Sequence, residues 1–517
     1  MTSLFLIDPP RAGLLEGASH GLTSLANWIE RNTSSVSVTL LDWSALPFDR
    51  IPVAVFREVR AHKQIVVGIT CATATYQSAL AVAQIFRVAS DSCVIVLGGH
   101  HATPEAEVIL RAHQEIDIVV RGEGERPLLD LVLGVPWSEI PGLCYRKDSG
   151  EVATNPPPVP LGTSELDSIA SCFHQPRSES GKFGRCCIVT ARGCPLACRF
   201  CVVGQQPVRS RSIPRVIEDL RELISGGYDE FTIEDNFFAQ SPRRTIALCE
   251  AIAELQKEID HRFIFDCQTR IESCSETVVS ALAAAGCDAV YLGVEALTVR
   301  QLTFLGKTAV PGHFLKQLHE TAIPLLFDYG IEANLNLQIG VPHTTMEEME
   351  DTLRGIEAIG EIALDRGGVV RFFPHLHVIY PGTPEFKDGL ATGVFPRDIF
   401  ERFTEWEAAQ NSVLDWMGRR FAHGAGGLPI EMLEPDALRD GEFVLLPERI
   451  YSADNFVNRM GQIDGVEVFD YAAHLVSNTE PGRRVRANDF STNSARLPSP
   501  GLASSHLLQT SFESAGD

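Results

Sequence analysis

The sequence of 517 residues lacks several features that define particular classes of protein. It has no long run of Lys and Arg and its formal net charge is −23, so a surface that follows nucleic-acid phosphates is not expected. It has no apolar stretch near the roughly 20 residues that cross a membrane, and its first residues lack the basic start of a secretion signal. We therefore expect a cytoplasmic protein with a small-molecule or peptide substrate, and with neither nucleic acid nor a membrane as partner.

Disulfide pairing is also not expected. The 13 cysteines are an odd number in a large chain, and without a secretion signal such cysteines are usually metal ligands or buried thiols. Several lie in or beside apolar strands and are predicted to be small core residues. They include Cys71, Cys186, Cys187, Cys267 and Cys287.

Residues 1–150 form the first predicted domain. Short β-branched runs alternate there with helix-sized segments, which predicts an α/β fold with a doubly wound, flavodoxin-like parallel sheet. The predicted strands are Leu4–Ile7, Val36–Leu41, Ile65–Thr70, Val94–Leu97 and Ile116–Val120.

A proline-rich stretch at 155–160 interrupts this pattern and predicts a linker over residues 151–185. A second series of about six βα units then predicts a partial (β/α)6 TIM-like barrel over residues 186–385. Residues 386–475 are predicted to form a helical C-terminal region, which either shapes substrate choice or packs as a cap. The polar, aperiodic residues 476–517 are predicted to be a disordered tail.

Three cysteines lie within eight residues on a loop that follows a predicted strand: Cys194, Cys198 and Cys201. Three thiolates on one short loop can hold one face of a [4Fe-4S] cubane, which leaves one iron without a cysteine. A closed zinc site would need a fourth protein ligand, and no second CxxC or CxxxH follows nearby. We therefore favour a [4Fe-4S] cluster over structural zinc or three unconnected buried cysteines.

The CxxxCxΦC spacing, with Phe200 before the last cysteine, resembles the radical S-adenosylmethionine (SAM) superfamily. The resemblance implies that the amino and carboxylate groups of SAM occupy the open iron. It further implies that one electron, from a donor such as flavodoxin or ferredoxin, breaks the sulfonium bond to give methionine and a 5'-deoxyadenosyl radical.

Later segments resemble further motifs of that superfamily in the same order. They imply a SAM contact near the amino group at Asp235 and one near the ribose at Glu295. His343 and Thr344 replace the Gly-Glu that commonly ends the fifth-strand motif. The alternatives are that Glu234, Asp235 and Glu295 only cap helices and that Arg270 only forms a salt bridge. The SAM-binding residues implied by the resemblance are Phe200, Asp235, Arg270, Glu295 and Gly340.

Small and hydroxyl residues follow the strands of the first domain, at the sheet edge where open α/β folds bind ligands. No GxGxxG or P-loop lysine motif supports a nucleotide. On this fold and upstream of a radical domain, these loops resemble the cobalamin-binding domain of class B radical SAM enzymes. The DxHxxG motif is absent, so histidine coordination of that kind is not expected. The implied cobalamin-binding residues are Thr73, Thr75, Gly98, Gly99, His100, Gly122 and Glu123.

The resemblance implies three cofactors, namely a [4Fe-4S] cluster, SAM and cobalamin, and a cobalamin-dependent methyltransferase. In such an enzyme the radical abstracts hydrogen from an unactivated carbon of a natural-product intermediate, and methylcobalamin supplies the methyl group. A radical cyclase or rearrangement enzyme is the alternative within the enzyme class. A cobalamin- or redox-responsive binding protein is the alternative outside it, and a flavodoxin-like module without a ligand remains possible for the first domain.

Overall fold

The computed structural model describes residues 2–10, 20–44, 46, 48–62, 64–169, 172–174, 186–339, 341–377, 379–392, 459–460 and 462–468. The predicted tail at 476–517 lies outside these residues, and so does most of the predicted helical region at 386–475. The predicted SAM contact Gly340 also lies outside them.

The first sheet has seven strands: β1 (Thr2–Asp8), β2 (Val36–Asp42), β3 (Ile65–Thr70), β4 (Val94–Gly98), β5 (Ile118–Val120), β6 (Leu143–Arg146) and β7 (Val152–Thr154). They are ordered β2-β1-β3-β4-β5-β6-β7, and the first five are parallel. This order is the flavodoxin-like one, with a topological switch point between β1 and β3. The predicted doubly wound sheet is therefore confirmed.

Helices cover both faces of this sheet, which explains why its strands are continuous apolar runs. Leu4 and Leu6 of β1 belong to one buried cluster, whereas Phe5 and Ile7 belong to another. Alternate side chains of a strand point to opposite faces, so both faces of β1 are dry. The helices of this half of the chain are α1 (His20–Asn32), α2 (Ile51–Ala61), α3 (Tyr76–Ala89), α4 (Ala102–Ala112), α5 (Glu125–Val132) and α6 (Thr163–Leu166).

The second sheet contains the predicted six parallel strands: β9 (Cys186–Ile188), β12 (Glu230–Ile233), β13 (Ile264–Thr269), β14 (Cys287–Glu295), β15 (Glu332–Ile339) and β16 (Val370–Leu376). The antiparallel strand β8 (Cys172–His174) extends one edge and the parallel strand β17 (Val466–Val468) extends the other. A short hairpin, β10 (Ala191–Arg192) with β11 (Arg209–Ser210), lies outside the sheet.

The helices of the second half follow its strands in the βα order that the sequence predicts. They are α7 (Ile213–Ser225), α8 (Pro242–Glu258), α9 (Glu276–Ala284), α10 (Val299–Phe304), α11 (Pro311–Gln317), α12 (Ile323–Asp328), α13 (Met346–Arg366) and α14 (Pro384–Thr392). Within the part of the chain that the structure describes, no helix is both long and apolar enough to cross a bilayer.

The structure divides the predicted linker between its neighbours. Strand β7 pairs with β6, so the first sheet continues four residues beyond the predicted boundary at 150. Strand β8 pairs with β9 and belongs to the second sheet. The proline-rich stretch at 155–160 lies between them.

Glu105 is a buried carboxyl in α4 and leads to a pH-dependent prediction. Its side chain is 7% exposed, and burial raises its pKa from 4.5 to about 7. The folded protein therefore binds this proton more tightly than the unfolded chain, and the free energy of unfolding falls as pH rises from about 4.5 to about 7. We expect Glu105→Gln to remove up to about 3 kcal/mol of this pH dependence. Urea unfolding at pH 5 and pH 8 measures it.

Glu107→Gln on the same helix is the matched control, because Glu107 is exposed and pairs with Arg111. It should leave the pH dependence close to that of the parent protein. Equal losses of stability between pH 5 and 8 in the parent and in Glu105→Gln would contradict the assignment.

Candidate active site

The cysteine loop leaves the second sheet after β9 and is closed at its base by the β10–β11 hairpin. Gly193 begins it with φ +95°, and a Cβ there would lie 2.3 Å from the carbonyl oxygen of Pro207. Only glycine fits such a position. Backbone hydrogen bonds from Gln206 to Cys194 and from Gln205 to Leu196, both 2.8 Å, tie the two sides of the loop together.

The three sulfurs fit a multinuclear cluster better than a single ion. Among the described residues, at least two of these three sulfurs lie more than 4.8 Å apart. Two thiolates that share one zinc must lie within about 4.6 Å, twice the Zn–S bond length. Burial raises the pKa of Cys201, and backbone N–H groups of Val203 and Gly204 oppose that rise. N–H donors of this kind tune a bound iron–sulfur cluster.

Asp235 holds the start of this loop through hydrogen bonds to Thr190 and Ala191. Its Oδ1 accepts hydrogen bonds from the backbone N–H groups of Thr190 (2.6 Å) and Ala191 (2.9 Å), and its Oδ2 accepts one from the Thr190 hydroxyl (2.5 Å). The side chain is buried, and burial raises its pKa to about 6 while these hydrogen bonds act in the opposite direction. The structure therefore shows Asp235 holding the start of the cysteine loop, and a contact with SAM stays a prediction.

Arg270 connects the cysteine loop to Glu295. Its Nη1 lies 3.7 Å from the sulfur of Cys198, and its Nη2 donates to the carbonyl of Lys307 and to Glu272 (2.7 Å). The Nζ of Lys307 lies 3.2 Å from Oε1 of Glu295 in a buried ion pair. The alternative that Arg270 forms a salt bridge is thus observed, and the same side chain also contacts Cys198.

An irregularity in strand β14 sets the direction of the Glu295 side chain. It has φ +69°, which is uncommon for a residue with a side chain. The pairing of β14 with β15 shifts register between Gly293 and Glu295. Such bulges re-aim side chains near active sites. A Cβ at Gly293 would lie 2.6 Å from the Nζ of Lys307, so glycine makes room for the pair.

A chain of polar side chains continues from Glu295, partly buried at Gln338 and fully buried at His377. Gln338 donates to Oε2 of Glu295 (2.9 Å), and its own Oε1 lies 2.5 Å from Nδ1 of His377. The Nε2 of His377 lies 3.0 Å from Glu385 at the start of α14. Sequence reasoning missed Gln338, His377 and Glu385, because no motif links them before the strands are assembled.

A cavity of about 1140 Å³ lies between the cysteine loop and the carboxyl ends of the first sheet. It exceeds the roughly 300–1,000 Å³ of pockets for drug-sized ligands. The first domain lines it with Thr70, Gly98, Gly99, His100, Thr103, Gly122 and Glu123, and the second with Ala191, Arg192, Gly193, Val202, Val203, Glu234 and Asn236.

Five of the seven predicted cobalamin-binding residues line this cavity: Gly98, Gly99, His100, Gly122 and Glu123. His100 is an exposed residue at the cavity edge, and partial desolvation by the surrounding protein lowers its pKa. Thr73 and Thr75 are not among the lining residues. Thr73 hydrogen-bonds His101 (3.1 Å), and Thr75 hydrogen-bonds the backbone of Ala72 (3.1 Å).

The two glycines that end β4 differ in how closely the backbone surrounds them. Gly99 has φ +112°, and a Cβ there would lie 2.6 Å from the carbonyl oxygen of Cys71. Gly98 has only an ordinary contact of 3.8 Å, with Val120. A large planar ligand can therefore approach the backbone closely here, which fits a corrin ring.

Ion pairs at the cavity wall join the two domains. Glu123 pairs with Arg209 (2.5 Å) and with Arg192 (3.6 Å), and Arg192 also pairs with Glu125 (2.8 Å). Burial alone would raise the pKa of Glu123, but these arginines and a backbone hydrogen bond lower it. Because Arg192 and Arg209 belong to the hairpin of the cysteine loop, that loop is held against the first domain.

The two neighbours of Asp235 in the chain face the cavity, whereas Asp235 does not line it. Glu234 and Asn236 line it, as alternation at the end of β12 requires. His20, the first residue of α1, lines the cavity from the other domain. Burial lowers the pKa of His20, and the charge of Glu234 opposes this. No sequence signal marked His20.

Two family models match the chain. Residues 15–132 match the B12 binding domain, and residues 188–356 match the radical SAM superfamily. The two matches cover the first sheet and most of the second. The cavity lies between them.

Two relatives of known sequence match about half of the chain. The uncharacterized methyltransferase PH0819 of Pyrococcus horikoshii is 32% identical over 301 residues, which are 56% of this chain and 63% of that protein. The anaerobic magnesium-protoporphyrin IX monomethyl ester cyclase of Rubrivivax gelatinosus is 28% identical over 311 residues, 56% and 54% of the two lengths. The match thus spans less than two thirds of either relative.

A solved structure shares the fold over most of the chain. The radical SAM methyltransferase TsrM from Kitasatospora setae, solved with a tryptophan substrate and a SAM analogue, superposes with a TM-score of 0.62. The superposition covers 89% of both chains at 17% identity. At this identity the likeness shows a common architecture.

Proposed function

We propose that this chain, which matches the radical SAM superfamily over residues 188–356 and the B12 binding domain over residues 15–132, is a cobalamin-dependent radical SAM methyltransferase. Its substrate would be a small-molecule or peptide natural-product intermediate, methylated at an unactivated carbon. An electron donor such as flavodoxin or ferredoxin would supply the reducing electrons.

The residues fit the three cofactors of this family. Cys194, Cys198 and Cys201 would hold the [4Fe-4S] cluster, and the glycine-lined strand ends Gly98, Gly99 and Gly122 would carry cobalamin. When bound, the cluster supplies the electron that cleaves SAM, and cobalamin carries the methyl group to be transferred.

The observation that carries the proposal is the cavity shared by both domains. Its walls bring residues that flank the cysteines, Gly193, Val202 and Val203, and the ligand edge of the first sheet to one cavity of about 1140 Å³, although the three cysteines are not themselves lining residues. Ion pairs between Glu123 and the hairpin arginines hold these walls together. Alignment of cofactor and substrate in a closed space is the main contribution that a protein makes to radical chemistry.

The chain of polar side chains at Glu295 would position SAM. Glu295, held by Lys307 and Gln338, would accept hydrogen bonds from ribose hydroxyls, and Arg270 would keep Cys198 and the backbone at Lys307 in place. Asp235 would act through the backbone at Thr190 and Ala191, which begin the cysteine loop.

PH0819 and TsrM are both named methyltransferases, which supports methyl transfer, and the tryptophan bound to TsrM supports a small-molecule substrate. One observation favours a second function. The cyclase of Rubrivivax gelatinosus is also similar over about half the chain, so a cobalamin-binding radical cyclase that transfers no methyl is the second candidate.

The products of SAM separate these functions. The protein is reconstituted anaerobically with iron, sulfide and hydroxocobalamin, then incubated with SAM and titanium citrate or reduced flavodoxin. We expect bound corrin and formation of both S-adenosylhomocysteine and 5'-deoxyadenosine. A cyclase predicts only 5'-deoxyadenosine, and a binding protein predicts neither. Absence of bound corrin in protein supplied with cobalamin would overturn the methyltransferase proposal.

A further inference from the structure

Three side chains that the proposed function does not use meet at the junction of the two domains. They are His20 at the start of α1, Cys187 on β9 and Glu234 just after β12. One nitrogen, one sulfur and one oxygen from them all lie within 4.8 Å of one another. The group is separate from the three cysteines of the cluster loop.

Strand pairing sets two of these side chains side by side. Thr232 of β12 is paired with Cys187 of β9, and Glu234 lies two residues beyond Thr232. A period of two therefore places Glu234 and Cys187 on the same face of the sheet. The third member, His20, comes from the other domain, so the group exists only when the domains are packed together.

The spacing is that of ligands around one ion. The sulfur of Cys187 lies 3.7 Å from Oε1 of Glu234. Tetrahedral ligands at about 2.3 Å (sulfur) and about 2.1 Å (oxygen) from zinc lie about 3.6 Å apart. Imidazole, thiolate and carboxylate are also the three ligand types that zinc commonly takes.

The local charge agrees with a cation. Glu234 forms no ion pair with Lys or Arg among the described residues, whereas Glu123 and Glu125, which line the same cavity from the first domain, pair with arginines. A divalent ion would supply the missing positive charge and would bind the Cys187 sulfur as thiolate.

We propose that His20, Cys187 and Glu234 form a second metal site, for one divalent transition ion such as Zn²⁺. His20 and Glu234 line the cavity, so a fourth position is open to it. Three protein ligands and an open position are the pattern of zinc sites that bind or polarise a substrate. The expected ligand is an oxygen or nitrogen donor of the substrate, such as a carboxylate, hydroxyl or amine. This proposal does not depend on methyl transfer.

Zinc content and the zinc K-edge test it. The reconstituted holoenzyme is equilibrated with zinc sulfate, desalted and analysed for zinc, iron and cobalt. We expect about one zinc per chain with one sulfur at about 2.3 Å and the remaining ligands nitrogen or oxygen. Cys187→Ala, Glu234→Gln and His20→Gln should each weaken zinc binding at least about a hundredfold, because a ligand is lost. Iron and cobalt contents should not change, which shows that the variants are folded.

Cys249→Ala is the matched control, since Cys249 is an equally buried thiol in α8 and should retain zinc. Zinc retained at parent levels in all three ligand variants would overturn the site, and so would the absence of zinc from the parent holoenzyme. A zinc spectrum with three sulfurs would place the ion on the cluster loop and would also overturn it.

Discussion

Replacing any one of Cys194, Cys198 and Cys201 by alanine is expected to abolish both iron binding and SAM cleavage. The loop offers only three thiolates for the cluster, so the two that remain hold it poorly, and reductive cleavage of SAM takes its electron from that cluster. We expect the rate of 5'-deoxyadenosine formation to fall at least about a thousandfold for each single variant, because these ligands act as a unit. Anaerobic reconstitution, iron analysis and product quantification measure both effects.

Cys93→Ala provides the control for a lost buried thiol. Cys93 is 2% exposed and lies beside β4 in the first domain, so this variant should keep a full complement of iron. The cluster variants should still bind cobalamin, because the first sheet has its own buried clusters. A variant of the three cysteines that retains parental iron and SAM cleavage would exclude that cysteine as a ligand.

Cobalamin binding is expected to weaken strongly in Gly98→Leu. Gly98 ends β4 at the cavity edge, and a Cβ there meets only the carbonyl of Val120 at 3.8 Å. The backbone can therefore accept a side chain, and the added leucine would occupy the space proposed for the corrin. Overpacking of about 1–3 kcal/mol corresponds to roughly 5- to 150-fold weaker binding. Equilibrium titration with hydroxocobalamin, followed by its absorbance, measures the change.

Gly312→Leu is a control with the same change in side-chain volume. Gly312 lies in α11 of the second domain, and a Cβ there meets nothing within 4 Å. This variant should bind cobalamin like the parent, and Gly98→Leu should still assemble the cluster on the other domain. Unchanged cobalamin affinity in Gly98→Leu would show that the corrin does not use this strand end.

Both sheets could be predicted because their strands are buried on two faces. Leu4–Ile7 and Ile65–Thr70 are continuous apolar runs, and each lies within a strand that the structure contains. Strands β6 and β7 were missed, since Leu143–Arg146 and Val152–Thr154 are short, and β7 is partly exposed. They are held mainly by pairing with the rest of the sheet, which sequence periodicity does not reveal.

The position of the three-cysteine loop could likewise be predicted, because its cysteines are neighbours in the chain and follow a strand. The residues around it could be predicted only in part. The SAM contact at Asp235 came from the motif and stays a prediction, whereas the phase of β12, which turns Glu234 and Asn236 to the cavity and Asp235 to the backbone of Thr190, could be read only from the structure. One residue of phase decides which side chain meets a ligand.

The sequence by itself determined the two α/β domains, the three-cysteine loop and the glycines at the strand ends. Each of these depends on local spacing or on burial along a single strand. Only the tertiary structure decided that Glu123 pairs with Arg209, that Glu295 reaches His377 through Gln338, and that His20 meets Cys187 and Glu234. These contacts join residues that are far apart in the chain, and they exist only because domain packing and strand register bring the side chains together.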